Sequence, residues 1–219
     1  MITEVYKSLL ISENKYDRLD AWFKVDYLVN VLGINEVKSK INFFISLLCD
    51  KDLDIVLHAW QLLPKLLKLG LVQRSEADDK CFVKALREGD INAWWIGIDL
   101  YKEGVIDLSL LKNEIESYKK ALSSDPLTRL GAWSLLPEML KLDLVKDIDE
   151  KLIVDLLKDK SLNYHIKLNV LYLVLELKEK GIIKNLDIQA VKEIVNNPMF
   201  KQLSEAYDKD WKKVIQVLS

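Results

Sequence analysis

Residues 59–72 read AWQLLPKLLKLGLV and residues 132–145 read AWSLLPEMLKLDLV, with ten of fourteen positions identical at an offset of 73. An offset of that size is twice a common helical-repeat length, so a third copy is expected between them. It begins at Ala93-Trp94 as AWWIGIDLYKEGVI, more diverged but closing on the same Lys-x-Gly-apolar-apolar ending. The terminating position recurs at Gly33, Gly70, Gly104, Asp143 and Gly181, spaced 37, 34, 39 and 38 residues apart. Glycine just beyond a last helical turn accepts the left-handed conformation at little cost, so each position reads as a helix stop. The Ala-Trp pair recurs at 21–22, 59–60, 93–94 and 132–133, and Val170-Leu171 takes its place in the last copy.

Each period has room for two helices. The second ends at the terminator. The first carries its own stripe, as in Val37, Ile41, Phe44, Ile45 and Leu48, or Leu111, Ile115, Tyr118 and Leu122. These are helical spacings, not strand alternation. Ser75-x-x-Asp78 and Asp147-x-x-Glu150 read as capping boxes, and Asp125-Pro126 as an N-cap followed by proline at the first helical position. Leu168 to Leu177 (LNVLYLVLEL) would pass for a buried strand alone. It fills a second-helix slot, so it is expected to be a helix buried on all sides. Seven Gly and four Pro in 219 residues leave few tight turns for a β fold. The segment 208–219 places Trp211, Val214, Ile215 and Leu218 at helical spacing and is expected to cap the open end of the stack.

In period, helix pairing and acidic N-caps, the chain resembles the HEAT/armadillo class of helical-repeat proteins over nearly its whole length. That resemblance implies a single all-α domain over 1–219. The expected form is a right-handed α-α superhelix of about five helix pairs plus a C-terminal capping helix. It also implies a concave face that binds other macromolecules, so the expected function is a non-enzymatic scaffold for a protein or peptide. Pro64 and Pro137, inside second helices, depart from the class pattern, as does the Ala-Trp pair.

Charge narrows the partner. The net charge is −2, with 32 basic and 34 acidic residues mixed along the chain and no like-charge block of five or more. Only four of the basic residues are arginines (Arg18, Arg74, Arg87, Arg129), which argues against a nucleic-acid reader. The longest apolar run, Val170 to Leu175, is too short to span a bilayer, and the N-terminus lacks a signal-peptide pattern. Cys49 and Cys81 lie in apolar surroundings, so reduced, buried thiols in a cytoplasmic protein are expected, with one disulfide as the alternative. His58 and His165 have no second ligand one turn away, and there is no phosphate loop or nucleophile elbow, so neither metal nor cofactor is expected. Oligomeric state is not legible.

Two groups of residues are candidates for a partner-binding site. Lys68, Lys102 and Lys141 stand two residues before their terminators. They either relieve the helix dipole there or form a positive stripe for an acidic partner. Trp22, Trp60, Trp94 and Trp133 are expected to fill seams between repeats, with an exposed aromatic ladder as the alternative; the adjacent Trp94 and Trp95 rings point about 100° apart, so one of that pair is expected to be exposed. Trp95 and Asp99 share one helix face, with Arg129 in the next pair. Some HEAT-like proteins of similar length are DNA glycosylases for alkylated bases that use a tryptophan, an aspartate and an arginine. The alternative function is therefore such a glycosylase, or another nucleic-acid-binding solenoid. As an interaction module, the chain would instead use Asp99 and Arg129 as ordinary surface or cap residues.

Overall fold

In the computed structural model, which describes residues 2–207, the chain is 72% helix with no strand among the described residues. The expected cap at 208–219 lies outside them. The backbone divides into two compact units, 1–118 and 119–219.

In the first unit, α1 (Ile2–Leu10), α2 (Lys15–Phe23) and α3 (Val25–Leu32) run up to Gly33. α4 (Ile34–Lys38), α5 (Ile41–Ile45) and a 3-10 turn (Ser46–Cys49) precede the long α6 (Leu53–Lys68). A second 3-10 turn (Arg74–Glu76) and α7 (Asp79–Arg87) lead to α8 (Ile91–Lys102), and α9 (Leu108–Asn113) follows. α2, α6 and α8 pack side by side, while α7 lies against the 46–49 turn, α6 and α8. α10 (Ile115–Ala121) spans the division between units. In the second unit, α11 (Pro126–Lys141) packs beside α13 (Tyr164–Glu179), with α12 (Lys151–Val154) and a 3-10 turn (Asp155–Leu157) against them. α14 (Ile188–Val195) and α15 (Pro198–Tyr207) complete the described chain. The strand-like 168–177 stretch is helical throughout and buries Leu168, Val170, Leu171, Leu173, Val174, Leu175 and Leu177.

Four of the five terminators work by one geometry, whereas at Gly33 (φ 84°, ψ 149°) α3 passes directly into α4. At Gly70, Gly104, Asp143 and Gly181 φ is 68°, 71°, 55° and 71°. The next residue's N–H then reaches back five residues, as Leu71 to Leu66, Val105 to Leu100, Leu144 to Met139 and Ile182 to Leu177, at 2.8–3.0 Å. This double closure satisfies carbonyls that would otherwise be orphaned at the helix end. It also turns the apolar pair inward: Leu71-Val72, Val105-Ile106 and Leu144-Val145 are buried. Asp143 is the one non-glycine at positive φ among the described residues. Left-handed backbone costs a residue with a Cβ about 1 kcal/mol. Asp143→Gly should therefore raise stability by roughly that amount, or about 2–4 °C in Tm. An unchanged or lower Tm would mean that the Asp143–Lys146 ion pair matters more than the backbone.

Helix starts are equally regular. Asn14, Asp52, Asp90, Asp125 and Asn163 each accept a backbone N–H in the first turn of α2, α6, α8, α11 and α13. Two expected capping boxes are displaced. Asp78 caps α7 alone, and it is Glu76 that accepts the Gln73 N–H. Glu150 instead reaches Lys184 and Asn185, because its carboxylate meets their exposed donors across the loop. Asp52, bonded by Tyr16 and Lys15, titrates near 2, and the Thr128 hydrogen bonds hold Asp125 below the carboxylate range. Their folded pKa values lie below the unfolded ones. Their stabilisation is thus complete above about pH 4 and lost as pH falls towards the folded values. Helical circular dichroism should decline over that window; a signal flat down to about pH 2 would show that the caps contribute little.

Trp22, Trp60, Trp94 and Trp133 are all 0% exposed. In the first unit each packs against an aromatic ring 22 to 24 residues ahead: Trp22 on Phe44, Trp60 on Phe82 and Trp94 on Tyr118, with centroids 5.1–5.6 Å apart. Trp60 donates to the Leu48 carbonyl and Trp133 to the Leu122 carbonyl, both at 3.0 Å. The ring contacts thus join a second helix to the first helix that follows it, and the indole hydrogen bonds tie it to the segment that precedes it.

The expectation of reduced, buried thiols is overturned. Cys49 and Cys81 form a disulfide, with Cα atoms 5.2 Å apart. Cys49 is exposed and Cys81 half-buried. Apolar sequence neighbours pointed to burial, whereas the alternative of one disulfide is what the fold adopts. The bridge instead joins the end of the 46–49 turn to the first turn of α7, where two neighbouring first helices meet.

Candidate functional site

The row of second helices in the first unit leaves an open groove between α6 and α8 with a volume of about 440 Å³. Gln61, Pro64, Lys65 and Lys68 form one wall, and Ile96, Asp99, Lys102 and Glu103 the other. These side chains face outward because the helices spend their opposite faces on the seam. On α6, Ile55, Val56, Ala59, Trp60, Leu63 and Leu66 are buried. On α8, Ala93, Trp94, Gly97 and Ile98 do the same.

Electrostatically the groove is mixed. Lys68 pairs with Glu103 across it, and Lys65 pairs with Asp26 of α3. Asp99 is exposed and its carboxylate has no partner among the described residues, nor has the side-chain amide of Gln61 on the facing wall. Trp95, 40% exposed, stands one turn before Asp99 on the same helix face.

Three candidates from the sequence, Lys68, Lys102 and Asp99, thus line one groove, with Trp95 beside it. Lys141 is exposed at the end of α11 and belongs to the second unit. Gln61 was not singled out by sequence, and Pro64 only as a proline inside a second helix. The signal for Gln61 was that it directly follows the buried Trp60, as Trp95 directly follows Trp94.

Arg129 is not the ordinary surface or cap residue expected of it. Its guanidinium donates to the carbonyls of Ser123, Ser124 and Leu152 at 2.8–3.2 Å, tying the loop before α11 to α12. The other arginines are engaged as well, two by carbonyls and one by a carboxylate. Arg18 bonds the Ser12 carbonyl, Arg74 the Val105 and Ala77 carbonyls, and Arg87 forms a bidentate pair with Glu114. Arg129→Ala should cost roughly 2–3 kcal/mol, since three carbonyl acceptors, two of them part-buried, lose a charged donor. Lysine should not rescue it, because a single ammonium cannot span the fork. Asp99→Ala, by contrast, should stay within about 0.5 kcal/mol. Urea unfolding of the three variants decides; equal midpoints for Arg129→Ala and Asp99→Ala would refute the clamp.

Among the described residues no cluster of three His, Cys, Asp or Glu side chains could hold a metal. No helix among them is long and apolar enough to cross a membrane. No family model matches the chain, and no solved structure matches it. A protein of Acidianus ambivalens described as "Uncharacterized protein in sor 5'region" is 32% identical over 215 residues, which are 94% of this chain and 92% of the relative. At that identity, over nearly the full length of both, the chain belongs to the family of this Acidianus ambivalens protein.

Proposed function

We propose that the chain is a non-enzymatic interaction module, a HEAT/armadillo-like right-handed superhelix whose concave, second-helix face binds a protein or peptide in the cytoplasm. The observation that carries this reading is the α6–α8 groove, in which apolar Pro64, Ile96 and Leu100 lie beside the paired Lys65 and Lys68 and the open Asp99. Such a surface suits a polypeptide, which offers apolar side chains and a hydrogen-bonding main chain, better than a polyphosphate. The exposed Cys49–Cys81 bridge adds a condition: the compartment must be one that does not reduce it, as inside hyperthermophiles or outside a reducing cytosol.

A photo-crosslinking residue at Gln61, with one at Lys112 on α9 as control, tests the reading in cells. Polypeptide adducts from position 61 alone are expected. Equal adducts from both positions, or none from 61, would sink it. The glycosylase alternative draws on Trp95 and Asp99, both exposed on one face, but Arg129 is held by carbonyls. Duplex DNA should bind no tighter than about 10⁻⁴ M at physiological salt. Micromolar, salt-sensitive binding, with base release abolished by Asp99→Ala, would favour the alternative.

A further inference from the structure

The partner's chemistry is constrained by which groups on this face are already satisfied. Phe23, Gln61 and Trp95 directly follow the buried tryptophans of α2, α6 and α8, so they project at one angle from three helices packed side by side. Phe23 is 38% exposed and leans towards α6, its ring 6.3 Å from that of His58. Trp95 is 40% exposed at the far side of the groove. Between the two rings, Lys65 and Lys68 are neutralised by Asp26 and Glu103. The amide of Gln61 and the carboxylate of Asp99 are open.

We propose that this face takes an extended, near-neutral peptide lying across α2, α6 and α8, with one apolar side chain on Phe23 and another on Trp95. Two interaxial spacings of about 8–10 Å separate the rings, which an extended chain covers in roughly five or six residues. The main chain between the anchors passes Gln61 and Asp99, which receive its polar groups. A strongly acidic peptide would find the lysines already paired, and a polybasic one would meet them as neighbours. Affinity therefore comes from the aromatic anchors and depends little on salt.

This inference rests on the peptide-binding reading, and one experiment separates the two. A displayed library of random twelve-residue peptides is panned on the full chain at low salt and at about 1 M salt, where screening extends only about 3 Å. Enriched sequences should carry two apolar or aromatic residues five or six positions apart and survive high salt. Phe23→Ala and Trp95→Ala should each weaken a synthesised winner about tenfold, with the helix content of the protein unchanged. Winners that are charged, lost at high salt, or indifferent to Phe23 and Trp95 but weakened by Gln61→Ala overturn this inference and leave the groove as a peptide site. No enrichment at either salt overturns both.

Discussion

Reduction of the Cys49–Cys81 bridge should destabilise the first unit by roughly 3–4 kcal/mol. That is the loop-closure entropy of a cross-link spanning 32 residues. The closed loop contains the whole of α6, so the unfolded chain is deprived of freedom over the very segment that makes the repeat seam. In the folded chain the sulfurs join surfaces already in contact, since α7 packs against the 46–49 turn. A Cys49→Ser/Cys81→Ser pair should therefore keep its helix content and lose stability, by about 10 °C in Tm. Exposure of Cys49 lets a dithiol reach the bridge, so the oxidised chain treated with one should match the double serine variant. Identical melting of oxidised and reduced protein, with two free thiols titrated in the latter, would show that the cross-link adds nothing.

The bridge also marks where the sequence stopped being informative. Glycine spacing, Ala-Trp pairs and acidic N-caps are local, chain-encoded signals repeated several times, so errors in one copy are corrected by the others. Asp143 was recognisable as a terminator only because Gly70 stands 73 residues earlier in a near-identical segment. Cysteine pairing is a single, non-local event. It depends on how two first helices meet, and an apolar neighbourhood reads the same for a thiol as for a disulfide. The arginine contacts were hidden for a related reason. Arg129 and Arg74 bond main-chain carbonyls, and every residue carries one, so no sequence pattern points to them. The groove was half legible. Lys68, Lys102, Asp99 and Trp95 were found through register, whereas its walls needed the side-by-side packing of α6 and α8.

Trp60→Ala is expected to be the most damaging single substitution, at roughly 3–5 kcal/mol. Three losses coincide at this position. The indole is fully buried and lies 5.1 Å from the Phe82 ring, so alanine leaves a cavity at the seam between two helix pairs. The Leu48 carbonyl, which the indole N–H bonds at 3.0 Å, is left without its donor in a dry site. Arg74, stacked over the ring at 5.8 Å, loses its platform while still tied to Val105 and Ala77. Trp60→Phe should recover most of the volume but not the hydrogen bond, and fall between alanine and wild type. Trp95→Ala is the internal control. It removes the same side chain from the next repeat, but from a 40% exposed position, so its cost should be below about 1 kcal/mol. Urea unfolding of the three variants therefore separates seam from surface. If Trp60→Ala and Trp95→Ala unfold at the same denaturant concentration, Trp60 does not hold α6 to its neighbours, and the first unit must owe its stability to the flanking leucines instead.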